Sequence, residues 1–595
     1  MSGKYKGVSI AILALLLSGA NGQASRPLRQ VAGTVKSEDT APEKPSGWID
    51  KNSVHSEHFS VAAANPLAVD AGYEVIKVHH GTAIDAAIAT QLVLNLVEPQ
   101  SSGIGGGAFI LYHDSETKKL KVFDGRETAP AAANPGRFMK NGEPLERYDA
   151  IVGGKSVGVP GTLRVLKLAH KRYGKLKWAK LFEPAIRWAE NGFPVSPRLN
   201  SALSSDKYLT LNANAKAYFF GDDGKPRPVG HILKNPEFAK VLKRIADEGP
   251  DAFYKGEIAK DIVTAVKGHP TNPGDITEAD LAGYRAQERE PICGQYREYK
   301  VCGLPAPSSG GVAVLQILGM IERFPLPTYS PNSIEAVHII SEADRLAYAD
   351  RDRYLADPDF VKQPQWLTDR AYLAERSQLI KEYESMGTAQ PGNPPAGKPQ
   401  KTYGSGKALD LPSTSHIAIV DEYGNALSMT TTIEDGFGSR IMTHGFLLNN
   451  ELTDFSFEPF KNDLPVANRI EKNKRPRSSM APTIIYDKEG RIKMITGSPG
   501  GSAIINYVVK SIVGVLDWSL DPQIAVDLPN FGSRNEGVTE LEKGTPIVAL
   551  EPKLKAMHHV VRIVDFNSGL QAIVRTKEGW VGGADGRREG KVRGD

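Results

Sequence analysis

The stretch His416-Ile-Ala-Ile-Val-Asp421, Glu422-Tyr423-Gly424, Ala426-Leu-Ser-Met-Thr-Thr-Thr432 decides how the rest of the chain is read. Two alternating runs flank a three-residue loop ending in Gly, a common hairpin connection. Pairing about Tyr423 sets Thr414 opposite Thr432. Just upstream, ten of the 28 residues from Met386 to Ser413 are Gly or Pro, which marks an exposed connection. Further back, Asn65-Pro66 opens a helical run ending near His80-Gly81, and Ala83 to Val97 reads as a second, more apolar helix. Pro just inside the start and Gly after the end are the expected punctuation. Phe109 to Tyr112 and Lys121 to Phe123 read as strands, Thr162 to Tyr173 as a helix, and 180–380 as mostly helical. Strand and helix signals mix without a regular βαβ alternation. The expected fold class is therefore a layered α/β (α+β) packing, not a doubly wound sheet.

With 595 residues, 40% hydrophobic, 24% charged and 8% aromatic, the chain has globular composition, which excludes a collagenous or mostly disordered protein. The net charge of +4 is too small for a nucleic-acid stripe. The one basic cluster, Arg587-Arg588 to Arg593, reads as a solvated tail. At the other end, Lys4 and Lys6 precede an apolar run from Val8 to Leu17 and small residues around Ala20 to Ala24. This is the pattern of a secretory signal over 1–24, followed by a polar, disordered leader over 25–48. A membrane span needs about 20 apolar residues, so no anchor is expected and the mature chain reads as periplasmic or secreted. The sequence holds no Asn-x-Ser/Thr acceptor, which favours a bacterial periplasm. Export gives the two cysteines their meaning. Cys293 and Cys302 lie on two short alternating strands about a tight turn, and a disulfide between them is expected, with two buried thiols as the alternative.

Several short motifs carry no chemistry. Gly103-Ile-Gly105-Gly-Gly107-Ala108 fits a relaxed dinucleotide fingerprint, but a helix precedes it and a strand follows, the reverse of what the motif needs. Gly154-Lys155-Ser156 lacks the earlier Gly of a phosphate loop, because Asp149 stands there. Gly154-Lys-Ser-Val-Gly158 matches a nucleophile elbow, yet Gly158-Val-Pro-Gly161 separates that Ser from its helix. His55-Ser-Glu-His58 has no metal-site spacing and the remaining histidines form no cluster, so no metal and no cofactor is implied.

Three dense stretches remain: Asp124-Gly-Arg126-Glu-Thr-Ala-Pro130; Ser413-Thr414-Ser415-His416 through Thr432-Ile-Glu434 to Asn449-Asn-Glu451-Leu-Thr-Asp454; and Lys474-Arg-Pro-Arg-Ser478-Ser479-Met-Ala-Pro482 followed by Gly497-Ser-Pro-Gly500-Gly501-Ser502. With Pro307-Ser308-Ser309-Gly310-Gly311 and Ala347 to Asp357, they resemble the gamma-glutamyltransferases of the N-terminal-nucleophile hydrolase superfamily, in family order from about residue 50 to 586. The resemblance implies a four-layer αββα sandwich built from two autoprocessed subunits, a large one over 49–413 and a small one over 414–595. The precursor would cut its own Ser413–Thr414 bond, and Thr414 would become an N-terminal nucleophile. Thr needs a base, and the freed α-amine, which titrates at about 8, sits on the same residue, so no His/Asp partner is required. Thr432 would hydrogen-bond Thr414 across the hairpin. Gly500 and Gly501 would form the oxyanion hole with N–H groups that no side chain shields.

A γ-glutamyl head carries a carboxylate and an ammonium. The resemblance implies that Arg126 holds the carboxylate through two parallel hydrogen bonds, with Ser478 and Ser479 assisting. Asp454, Glu434 and Glu451 would hold the ammonium. The implied activity is cleavage of the γ-glutamyl amide of glutathione and related compounds through a γ-glutamyl-Thr414 ester. The acyl group then passes to water, an amino acid or a peptide. One stretch departs from the family. Residues 457–472 are shorter than the Tyr-bearing loop that covers the pocket in some bacterial members, and hold no Tyr, so a closed lid is not expected, which leaves room for larger acyl groups or acceptors. A cephalosporin acylase of the same superfamily, removing a glutaryl-type side chain, would use Thr414 identically, but its substrate lacks the ammonium. An uncleaved, inactive γ-glutamyl-binding protein is the reading outside enzymes.

Overall fold

Local signals account for the first helices. Asn65 caps Pro66–Lys77 by accepting from the Leu67 N–H, with Pro at the first position. Thr82 and Asp85 form a reciprocal capping box at the start of Ala83–Val97, a helix buried on every side. The computed structural model describes residues 47–395, 402–407 and 413–595, all within one unit, Thr40–Asp595. The signal expected over 1–24, the leader apart from its last two residues, and parts of the Gly/Pro-rich connection (396–401 and 408–412) lie outside the described residues.

Two seven-stranded sheets stack at the centre. The first runs, in hydrogen-bonded order, Lys591–Gly594, Ser60–Ala63, Ser415–Val420, Ala426–Thr432, Gly107–Asp114, Lys119–Gly125 and Gln287–Arg289. The second runs Val54–Ser56, Trp580–Ala584, Gln571–Arg575, Ile492–Gly497, Thr483–Tyr486, Tyr299–Gly303 and Ile292–Tyr296. All neighbours are antiparallel. Each sheet draws strands from both sides of residue 414. The hairpin pairs Ser415 with Thr431 and Val420 with Ala426, the register expected from a turn about Tyr423.

Alternation along the hairpin sorts its side chains between two cores. Ile417, Ile419, Leu427 and Met429 pack with the helices Pro66–Lys77 and Ala83–Val97. Ala418, Val420 and Ala426 pack with the second sheet, whose far side is covered by Gly310–Ile321, Ile334–Tyr354 and Ile504–Leu516. Helices, sheet, sheet and helices make the four-layer sandwich. At the far edge of the second sheet Cys293 and Cys302 face each other in register and are disulfide-bonded.

The basic C-terminal cluster is not a solvated tail. Lys591–Gly594 is an edge strand on Ser60–Ala63. Arg587 and Arg588 are buried, and Arg587 pairs with Glu542 and Asp585. The cause is strand pairing between the two ends of the chain, which a local reading of charge cannot see.

Candidate active site

Even-numbered residues of the strand Ser415–Val420 face the second sheet, and Thr414, one step before it, shares that face. The imidazole of His416 sits against Gly497, where a Cβ would come within 2.2 Å of the ring. Burial holds that imidazole neutral, its pKa down to about 3, and it contacts the Thr430 hydroxyl at 2.9 Å. The strand Ile492–Gly497 ends at this level, so the following Ser498–Gly501 turn arrives beside Thr414. Gly500 and Gly501 have φ of 136° and 58°, the left-handed region that favours glycine. They lead into the helix Ile504–Leu516, at whose start backbone N–H groups lack intrahelical partners.

In the uncut chain the Ser413–Thr414 bond is held from several sides. Ser413 Oγ donates to Gln100 O at 2.5 Å. Thr432 Oγ1 donates to Ser413 O at 2.8 Å and accepts from Glu434 N at 2.8 Å. Thr414 Oγ1 donates to the same Ser413 carbonyl at 2.5 Å and lies 3.4 Å from Thr432 Oγ1. Both hydroxyls therefore converge on one carbonyl group.

Of the ten residues assigned to catalysis or donor binding, all but Gly500 line one small cavity of about 20 Å³, with Met480 and Ile504. Arg126 leaves the end of the strand Lys119–Gly125, its N–H accepted by Asp124. Its side chain, 1% exposed, is fixed by Pro476 O (Nε, 3.1 Å) and Arg477 O (Nη2, 2.9 Å), and its two terminal nitrogens pair with Glu451 and Asp454. Residues 457–472 hold a small hairpin, Phe460–Lys461 with Leu464–Pro465, and in the continuous chain the paired guanidinium and carboxylates fill the space beside Thr414, which is 4% exposed.

Charge is concentrated here. Burial opposes the Arg126 cation, but Glu451, Asp454 and Glu127 hold its pKa above the ordinary value. Burial pushes Glu451 up to about 7 against the pull of Arg126. Glu434 is raised well above the carboxylate range by burial, then by Asp454 and Asp435. Its backbone is left-handed (φ 79°), which costs a side-chain-bearing residue about 1–2 kcal/mol, and Thr432 Oγ1 and the Asn450 amide hold it there.

Sequence reading missed several supporting residues. Glu127 is fully buried, raised well above the carboxylate range by burial and then by Glu451. Arg351, at the C-terminal end of the helix Ile334–Tyr354, donates to Ser479 Oγ at 2.7 Å and Ser309 Oγ at 3.0 Å. Ser308 and Ser309 hydroxyls bind Met480 O and Ser478 O. The Pro307–Gly311 and Ala347–Asp357 stretches thus hold the serine pair from behind. Arg588 donates to Thr414 O at 3.2 Å. The doubled Arg was a visible signal, but its partner was not.

The discounted motifs stay structural. Ser156 Oγ is taken up by Ile151 O and Gly153 O, and the Gly103–Ala108 turn joins a helix to a strand. Among the described residues His338, Glu342 and His559 come close enough to hold a metal. Their atoms are engaged otherwise. The two imidazoles hydrogen-bond at 2.7 Å, and Glu342 accepts from Arg345, Ser385 and the Met386 N–H.

A family model described as Gamma-glutamyltranspeptidase matches residues 68–594. A "Glutathione hydrolase proenzyme" of Bacillus subtilis (strain 168) is 37% identical over 543 residues, covering 89% of this chain and 90% of that protein. An "Acylase ACY 1 proenzyme" of Pseudomonas sp. (strain SE83) is 34% identical over 544 residues, covering 90% and 93%. Among solved structures, a cephalosporin acylase from Bacillus halodurans superposes with a TM-score of 0.79 at 27% identity, covering 92% of this chain and 97% of that one.

Proposed function

The chain belongs to the gamma-glutamyltranspeptidase family, and from that premise we propose that it is a self-processed γ-glutamyltransferase and glutathione hydrolase acting through Thr414. Processing begins when Thr414 Oγ1 adds to the Ser413 carbonyl carbon. The C–N bond breaks as the ester forms, and water hydrolyses that ester to a Ser413 carboxylate and a free Thr414 amine. The Thr432 hydroxyl, already donating to Ser413 O, stabilises the oxygen as charge builds on it.

In turnover the amine accepts the Thr414 hydroxyl proton while Oγ1 attacks the γ-carbonyl carbon of the donor. The N–H groups of Gly500 and Gly501 receive the oxyanion. The amine returns the proton to the departing amine of the donor, and the γ-glutamyl ester is discharged to water, an amino acid or a dipeptide. The large (49–413) and small (414–595) pieces remain together as a heterodimer. Residues 1–24 direct export to the periplasm or the medium and are then removed. Among the described residues no helix is long and apolar enough to cross a membrane.

One observation carries this reading: buried Arg126, Glu434, Glu451 and Asp454 surround the cavity beside Thr414. A zwitterionic donor head exchanges their internal pairing for matched pairs of its own. Its carboxylate takes the guanidinium fork, and its ammonium takes the carboxylates. A glutaryl group brings no cation and would leave those carboxylates buried without a match, which favours the transferase over the acylase.

Thr414→Ala is expected to give one uncut, inactive chain, where the wild type gives two, the smaller beginning Thr-Ser-His. A Thr414→Ala chain still split at that bond refutes the assignment. Parallel release from γ-glutamyl- and glutaryl-anilides, with and without glycylglycine, separates the two enzyme readings.

A further inference from the structure

Cutting the chain creates a mechanical problem. Thr414 lies outside the hairpin ladder, which begins at Ser415. Before the cut its N-terminal side is anchored through Ser413, whose hydroxyl binds Gln100 O and whose carbonyl accepts from Thr432. After the cut Ser413 and Gln100 belong to the other piece, while Thr432 stays in the same piece as Thr414 and touches only its side-chain hydroxyl, at 3.4 Å, leaving the Thr414 main chain without its upstream anchor. A chain-terminal residue frays unless something ties it down, and a nucleophile tolerates only about 0.5 Å of misplacement.

The tie is on the opposite side. Arg588 is fully buried in the loop between the strands Trp580–Ala584 and Lys591–Gly594. Its Nε and Nη2 donate to Asn567, to Oδ1 at 3.2 Å and to the carbonyl at 3.0 Å, which fixes the plane of the fork. Its Nη1 then reaches Thr414 O at 3.2 Å. The loop itself is clamped by the first described residues of the chain. Lys51 Nζ donates to both Asp585 O and Arg588 O at 2.7 Å, and Ile49 N donates to Gly586 O at 2.8 Å.

We propose that Arg588 is a positioning residue that holds the Thr414 main chain in place once the Ser413–Thr414 bond is gone. The inference rests on Thr414 being the processed nucleophile. Arg588 is not among the residues that line the cavity beside Thr414, so its removal is expected to act on turnover and not on donor affinity.

The test uses the full chain, with kinetics on γ-glutamyl-p-nitroanilide expressed per mole of mature small chain. Arg588→Leu is expected to be cut into two pieces, because Ser413 still anchors the precursor. Its kcat should fall about 10²-fold, the effect of a displacement near 1 Å, while KM stays near the wild-type value. Arg588→Lys, which keeps one donor but not the fork, should recover part of the loss. Asn567→Ala should show a smaller fall of the same kind. An unchanged kcat, or a loss carried by KM, in Arg588→Leu overturns the proposal. If Arg588→Leu stays uncut, Asn567→Ala decides, and an uncut Asn567→Ala assigns the contact to processing and also overturns it. Failure of the underlying reading looks different: the wild type itself would not yield a chain beginning at Thr414.

Discussion

Thr432→Val offers the sharpest test of the proposed self-cleavage before Thr414. Val matches Thr in shape, so packing against the second sheet is kept and one hydroxyl is lost. That hydroxyl is the donor 2.8 Å from the scissile carbonyl oxygen. Removing one donor aimed at a developing oxyanion costs about 3 kcal/mol, which is about 10²-fold in rate. The same change leaves the buried Glu434 N–H without its acceptor, at about 1–3 kcal/mol of stability. Thermal unfolding read in parallel therefore separates slow cutting from poor folding. The assay is the disappearance of full-length chain on a denaturing gel after purification of the precursor. Thr432→Ser, which restores the hydroxyl, is expected to cut near the wild-type rate. A folded Thr432→Val chain that matures as fast as the wild type refutes the proposed part of Thr432 in the cut.

Two further outcomes follow from the cavity. Arg126→Ala is expected to mature normally but to lose about 10²–10⁴-fold in kcat/KM for glutathione, since two charged hydrogen bonds to the donor, each worth about 1.5–3 kcal/mol, disappear. An unaltered value excludes Arg126 from donor binding. Acidity acts through the carboxyls. Glu451 is raised to about 7 by burial, so its folded form holds a proton at pH values where an exposed Glu is ionised. Below pH 7 it becomes neutral and loses its attraction for the donor ammonium. Donor KM should therefore rise about tenfold per unit as pH falls below 7, and Glu451→Gln should flatten that limb.

The hairpin was the most legible part of the chain because its information is local. Alternation, a Gly-ended turn and a pivot at Tyr423 suffice to set Thr414 against Thr432, and the ladder has that register. The helices Pro66–Lys77, Ala83–Val97 and Thr162–Tyr173 were equally readable from caps and period. The layering was not. No residue in the strands says which will be neighbours across the sheets, and the αββα order came through family resemblance. Arg588 shows the limit most clearly. Near the terminus it looks like one more solvated charge, and only the pairing of Lys591–Gly594 with Ser60–Ala63 folds it inward against Thr414. Arg351 was hidden for a similar reason, since it serves the Ser479 hydroxyl from a helix more than a hundred residues upstream.

The central hairpin, Ser415–Val420 with Ala426–Thr432, is flanked on one side by Ser60–Ala63 and on the other by Gly107–Asp114. A break before Thr414 thus severs one covalent link in a woven fabric and unpicks no stitch. Neither half owns a finished sheet, so halves made from two separate messages would each expose raw central edges and have no template on which to meet. Weaving is thus expected to precede scissors, and a gene divided at that bond is expected to give halves that assemble poorly.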